Sequence, residues 1–194
     1  GVHAKAQVAN FRTKKDLPLT KLQAALNSNL PKDISVINIK KVTSKFHSQY
    51  DAKSKVYRYT ILNGRVEDPF LLNYYYKVPY KLDATLMRKE ANTLLGKHDL
   101  KSFQARSAFS SLKSTVRTIK RINIKKEKGF IYIDTEANGF LHNMVRNIAG
   151  TLIEIGRGYL AEGSMRKILR SKDRRKAGPT APAKGLTLMK VLYG

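Results

Sequence analysis

The sequence predicts an α+β fold: two α/β units, each built on an antiparallel sheet. Three observations predict it. Lys55 to Leu62 alternates with a period of two, Tyr57, Tyr59 and Ile61 on one face and Val56, Arg58, Thr60 and Leu62 on the other, which is a strand. Leu141, Met144, Val145, Ile148, Leu152 and Ile155 recur at three- and four-residue steps, the stripe of a helix that lies on a sheet. From Lys55 onward the elements read strand, helix, strand, strand, helix, strand with one extra helix, the split β-α-β order of ferredoxin-like and RRM-like domains. The residues before that give only strand, helix, strand, half of the same pattern. The first unit is therefore expected to be truncated at its N-terminus. Residues 1–48 are assigned to the remainder of the N-terminal domain and 49–194 to the C-terminal one, with the last strand free to return to the N-terminal sheet.

Taken in order, Ala4 to Phe11 alternates as a strand. Pro18 to Leu30 is a helix with Thr20 as its cap, Leu22, Ala25, Leu26 and Leu30 as its stripe, and Pro31 as its stop. Ile34 to Val42 is a second strand, and Phe46 to Ala52 is irregular. After the strand at Lys55, Asn63-Gly64 makes a turn, and Arg65 to Tyr80 reads as a loop with the aromatic run Tyr74-Tyr75-Tyr76. Asp83 caps a helix that runs to Leu95 and stops at Gly96. Lys97 to Ser114 reads as a polar loop. Thr115 to Lys125 and Phe130 to Ala137 form a hairpin. The stretch Asn138 to Gly156 reads as one amphipathic helix, with Asn138-Gly139 as the turn before it, Gly156 and Gly158 as its stop, and Asn143, Arg146, Asn147 and Glu154 off the stripe. Ser164 caps a short helix, Lys172 to Lys176 is a basic run, and Leu186 to Tyr193 is the final strand.

Composition narrows the function classes. The 194 residues carry 38 Lys+Arg against 14 Asp+Glu, a net charge of +24, and the excess is spread along the chain. A folded basic surface of that kind attracts a polyanion, and nucleic acid is the expected partner. A hydrophobic share of 42% gives a folded chain with a core. No apolar run is long enough to cross a membrane, and no secretory signal opens the sequence. Cysteine is absent, which removes disulfides and thiolate zinc sites; the cytoplasm is the expected setting. His3, His47, His98 and His142 show no metal-ligand spacing, so no metal site is predicted.

Several ordered motifs resemble the bacterial tRNA pseudouridine synthase A family. Gly1-Val2-His3-Ala4 with Gln7-Val8 is similar to the second half of R-T-D-A-G-V-H-A-x-x-Q-V. Asn29-Leu30-Pro31 with Asp33-Ile34 resembles N-L-P-x-D-I. Phe46-His47, Tyr50-Asp51-Ala52 and Lys55-Val56-Tyr57-Arg58-Tyr59 resemble F-H-A-R-(Y/F)-x-A-x-x-K-x-Y-R-Y. Gly96-Lys97-His98-Asp99-Leu100-Lys101-Ser102-Phe103 resembles G-x-H-D-F-x-S-F, with Leu100 in place of the aromatic. Thr115 to Ile119, Phe140 to Gly150 and Thr180 to Leu186 complete the set, which covers the whole chain.

The resemblance implies the pseudouridine synthase fold, two such domains around a basic cleft, usually in a homodimer. It implies isomerisation of uridine to pseudouridine in the anticodon stem-loop of tRNA, at positions thirty-eight to forty, with no metal or organic cofactor. By the same resemblance Tyr57 stacks on the target uridine, and Arg146 pairs with the catalytic carboxylate and keeps it ionised. Read without that motif, Tyr57 is an ordinary core aromatic. The nucleophile of the family is the Asp of R-T-D, two residues ahead of the glycine matched by Gly1, and this sequence holds no Arg-Thr-Asp. Activity of the 194 residues alone is therefore not expected. Arg58, Arg106, Arg117 and His142 are candidate RNA contacts. The competing reading is a non-catalytic RNA-binding or ribosomal protein; against it, Phe130-Ile131-Tyr132-Ile133 does not match an RRM signature strand, and the basic residues are not gathered in tails.

Overall fold

In the computed structural model of the chain, residues 1–64, 66–105 and 114–194 are described. They fall into two compact units: Gly1–Gln7 with Ala52–Gly194, and Val8–Asp51.

The larger unit is built on a seven-stranded sheet, with the edge-to-edge order β1-β7-β2-β6-β5-β4 and β3 beside β2. The strands are β1 (His3–Ala4), β2 (Ala52–Leu62), β3 (Tyr76–Lys77), β4 (Gly96–Asp99), β5 (Val116–Glu127), β6 (Phe130–Ala137) and β7 (Leu186–Tyr193). Its helices are α2 (Ala84–Ala91), α3 (Met144–Gly156) and α4 (Ser164–Ser171). The β7-β2-β6-β5 core is antiparallel throughout; β1 joins β7 and β3 joins β2 in parallel. The α+β class read from the sequence holds.

Alternation decides which side of β2 is core. Tyr59 and Ile61 are fully buried opposite Ile133 and Ile131 of β6, and they share one cluster with Met144, Ile148, Leu152 and Ile155 of α3. The other face carries Arg58, whose guanidinium grips both oxygens of Asp134 at 2.7 Å and lies over the Tyr132 ring. β5 keeps Ile119 and Ile122 on the same core although they differ in parity, because the register shifts between Ile119 and Arg121; an extra residue there rephases the strand.

Several boundaries differ from the sequence reading, each for a local reason. The first strand is His3–Ala4 instead of Ala4 to Phe11; its ladder, with the added bond from the Lys5 N–H to the Leu188 carbonyl, stops where β7 carries a bulge across Met189. Gly96–Asp99, taken as loop, is a strand, because its backbone completes the edge of β5. The long helix starts at Met144, later than directly after the Asn138-Gly139 turn: Asn143 sits in the left-handed region (φ 56°), which no continuing helix tolerates. Asn147 and Glu154, expected on a polar face, are buried, since other segments cover that side of α3 too. Ser164 does not cap α4. Gly163 (φ 82°) opens it, and Glu90 of α2 takes the Gly163 and Met165 N–H groups at 2.8 and 3.0 Å. Asp83 caps α2 as read, accepting from Thr85 and Leu86.

The smaller unit holds α1 (Leu19–Asn29), whose residues are all exposed or half-exposed. Thr20 lies inside its first turn and not at the cap, since the Pro18 carbonyl already accepts from Leu22. Ile34 to Val42 does not form a strand. Side chains of α1 stand in for a ladder: the Asn27 amide accepts from the Val36 N–H at 2.7 Å and donates to its carbonyl at 3.1 Å, with Gln23 adding a second donor. Backbone groups satisfied in this way need no neighbouring strand.

Candidate active site

The site begins at the break before α3. Asn143, in its left-handed conformation, places its side chain at the first turn, where its Oδ1 accepts from Arg146 Nη1 at 3.0 Å. Arg146 Nε donates to the Ala181 carbonyl at 2.7 Å, and the Ala181 N–H returns a bond to the Arg146 carbonyl at 3.2 Å. Arg146 is half-buried, and among the described residues no carboxylate pairs with it. Among the described residues its side chain is met by one carbonyl and one amide oxygen, which leaves the cation able to hold an added carboxylate.

Ala181 belongs to a strap, residues 177–182, laid across α3. A side chain on Gly150 would stand 1.8 Å from the Pro179 carbonyl oxygen, so only glycine lets the strap lie this close. The strap then meets β2. The Tyr59 hydroxyl donates to the Pro182 carbonyl at 2.8 Å, and burial pushes the Tyr59 phenol well up, with the nearby Arg146 charge pulling the other way. Arg146 and the core face of β2 thus flank the same two residues, Ala181 and Pro182.

Tyr57 lies two residues along β2 from Tyr59. Its ring is half-buried and meets Phe140 edge-on, centroids 5.1 Å apart at 85°. Burial raises its phenol pKa. Phe140 is held by the turn before α3, where a side chain on Gly139 would crowd the Arg117 guanidinium at 3.4 Å. Arg117 itself donates to the carbonyls of Ser114 and Val116. His142 is exposed, with its carbonyl accepting from Ala105. The structure therefore gathers Arg146, Tyr57, Arg117 and His142 around the segment that leads into α3. Arg58 is not brought there; it is engaged by Asp134 on the opposite face of the sheet. Arg106 lies outside the described residues.

Sequence reasoning missed Phe140, Asn143 and the Ala181–Pro182 carbonyls as parts of the site. The carbonyls are backbone groups and the side chain of Asn143 is aimed by a left-handed backbone, neither of which a residue type announces; an aromatic straight after Asn138-Gly139 was the available sign of Phe140. Among the described residues no cluster of three or more His, Cys, Asp or Glu could hold a metal, and no helix is long and apolar enough to cross a membrane.

Comparison with known proteins identifies the family. The sequence model of the tRNA pseudouridine synthases matches residues 91–194. A tRNA pseudouridine synthase A of Thermoanaerobacter sp. (strain X514) is 49% identical over 193 residues, covering 100% of this chain and 78% of the relative. One from Clostridium perfringens, named tRNA pseudouridine synthase A 2, is 47% identical over 194 residues with the same coverage. A solved chain of a Cbf5-Nop10-Gar1 complex aligns with 73% of this chain and 31% of its own at 13% identity, but at a TM-score of 0.28 the match is too loose to argue from. On the first two findings, the chain belongs to the tRNA pseudouridine synthase family.

Proposed function

We propose that these residues form most of an enzyme that isomerises uridine to pseudouridine in the anticodon stem-loop of tRNA, at positions thirty-eight to forty. The observation that carries the reading is Arg146: a half-buried guanidinium, aimed by Ala181 and Asn143, with no carboxylate of its own among the described residues. The family's nucleophilic Asp would supply that carboxylate, and it is not among these 194 residues. In this reading residues 1–48 complete an N-terminal domain and residues 49–194 form the C-terminal one.

The chemistry asks little else of the chain. The C1′–N1 bond of the uridine breaks, the base turns, a C1′–C5 bond forms, the C5 hydrogen leaves as a proton, and the freed N1 takes up a proton. No atom is added and no electron is transferred to a second reactant, so no oxidant or group donor enters. A base within a stem must first leave its stack, and an aromatic face compensates for the lost stacking. Tyr57, braced edge-on by Phe140, is the ring assigned to it. Arg117 and His142 are the proposed phosphate contacts, and the charge of +24 favours a long polyanion. The family likeness supports a homodimer acting in the cytoplasm. The test is to map pseudouridine by carbodiimide-blocked primer extension, using unmodified tRNA and the chain extended upstream through the family's Arg-Thr-Asp segment. Stops at positions thirty-eight to forty are expected; stops elsewhere, or none, reject the assignment.

A further inference from the structure

Behind the site lies a buried polar network that the reaction itself does not use. Asn147 of α3 is fully buried; its Nδ2 donates to the Phe103 carbonyl at 2.7 Å, and its Oδ1 accepts from the Thr180 hydroxyl at 2.6 Å and from Arg174 Nη2 at 3.0 Å. Arg174 Nη2 also donates to Thr180 Oγ1 at 3.0 Å, while its Nη1 donates to the carbonyls of Gly178 at 2.9 Å and Ala177 at 3.3 Å. One turn along α3, Thr151 Oγ1 accepts the Gly178 N–H at 2.9 Å. Apart from the Asn147–Phe103 bond, these contacts tie the strap of residues 177–182 to α3, directly through Thr180 and Gly178 or by way of Arg174, and the same strap carries the Ala181 carbonyl that receives Arg146 Nε.

Arg174 is the odd member. It sits in the basic run Lys172 to Lys176, yet it is half-buried, and among the described residues only neutral oxygens meet it. A guanidinium held out of water on neutral acceptors is a costly way to fix a loop, and burial accordingly lowers its pKa. Its planar fork reaches the strap backbone with one nitrogen and Asn147 and Thr180 with another, a span that an ammonium cannot reproduce. The neighbouring Arg175 is instead paired with Asp173 at the surface.

The geometry points to Arg174 as a positioning residue for Arg146, acting through Asn147, Thr180 and the carbonyls of residues 177 and 178 to fix the strap whose Ala181 carbonyl aims the Arg146 guanidinium. Only its kinetic consequence rests on the function proposed above; the structural coupling does not.

The first test therefore needs no activity. In this chain labelled uniformly with nitrogen-15, hydrogen exchange of the Arg146 Nε–H is followed for the parent, Arg174→Lys and Thr180→Val, with the Ile133 amide of the core as reference. Arg174→Lys is expected to speed Arg146 exchange about tenfold while Ile133 keeps its rate, the signature of local opening and not of unfolding. Thr180→Val, which removes one hydroxyl, is expected to give a smaller change in the same sense and decides the matter if the Lys variant does not fold. The second test is turnover by the chain extended upstream: kcat is expected to fall about ten- to a hundredfold in Arg174→Lys with KM unchanged, as for a misaimed group. Unchanged Arg146 exchange in both variants overturns the proposal, and so does acceleration shared equally with Ile133. A parent extended chain that makes no pseudouridine while Arg146 exchange still depends on Arg174 overturns the function and leaves the positioning intact.

Discussion

Arg146 and Ala181 exchange two hydrogen bonds: the side chain of the first binds the carbonyl of the second at 2.7 Å, and the backbone N–H of the second binds the carbonyl of the first at 3.2 Å. The pair fastens the strap to α3 and at the same time fixes where a cation sits. Replacing Arg146 therefore separates two roles. Arg146→Met in the chain extended through the Arg-Thr-Asp segment is expected to lose about 2 kcal/mol of stability, the net worth of the two side-chain hydrogen bonds it removes. Turnover should fall far more than that loss of stability accounts for. Thermal melts and tritium-release rates check this together; a collapse of stability in step with activity would make Arg146 a residue of the fold alone.

Tyr57 offers a cleaner separation of ring from hydroxyl. Tyr57→Phe keeps the edge-on contact with Phe140 and is expected to retain most of the RNA affinity. Tyr57→Ala is expected to lose about 1–3 kcal/mol of stacking. Titration of a uridine-containing stem-loop with both variants measures the difference, and equal affinities would show that the ring serves the core.

Glu90 is a buried side chain whose two oxygens each hold one backbone N–H at the start of α4. Glu90→Ala leaves the N–H groups of Gly163 and Met165 without acceptors, and a loss of about 2 kcal/mol is expected. Denaturant unfolding measures it. A midpoint equal to the parent's would mean that α4 finds another cap.

Asp99 couples the β4 edge to pH. The Thr115 hydroxyl above all, bonded at 2.6 Å, holds its carboxyl below the ordinary value of 3.8, with Lys172 at 3.1 Å and the Lys101 N–H assisting. A carboxyl with a depressed folded pKa contributes stability that is complete above its unfolded pKa and vanishes as pH falls through the folded value. Stability of the parent should thus decline below the ordinary carboxylate range, and Asp99→Asn should remove part of that decline. Melting curves across acid pH test it; identical pH profiles for the two proteins would refute the coupling.

The fold was legible where side-chain period dominates. Tyr59 and Ile61 on β2, and Met144, Ile148, Leu152 and Ile155 on α3, face the core as their spacing requires, and Asp83 caps its helix as its type suggests. It was not legible where a distant group supplies what the local sequence lacks. Glu90 caps α4 from a different helix, Asn27 takes the place of a strand beside Val36, and β5 turns Gly96–Asp99 from loop into edge strand. The left-handed Asn143, which cuts the long helix short, is a backbone choice that a helical stripe does not reveal. At the site, the stripe alone placed Arg146 off the apolar face, and the family likeness gave it and Tyr57 their roles. Arg174 stayed hidden because, within Lys172 to Lys176, a braced arginine and a solvated one read alike.

The most direct measurement is tritium release from tRNA labelled at uridine C5, run side by side with this 194-residue chain and with the same chain extended upstream through the Arg-Thr-Asp segment. Residues that act as a catalytic unit lose nearly everything when one is removed, so Arg146 and Tyr57 without the nucleophile should give background release, while the extended chain releases tritium with turnover. Release by the 194 residues at the rate of the extended chain would contradict the account, and would place the working carboxylate among Asp51, Asp99, Asp134 and the other acids already present.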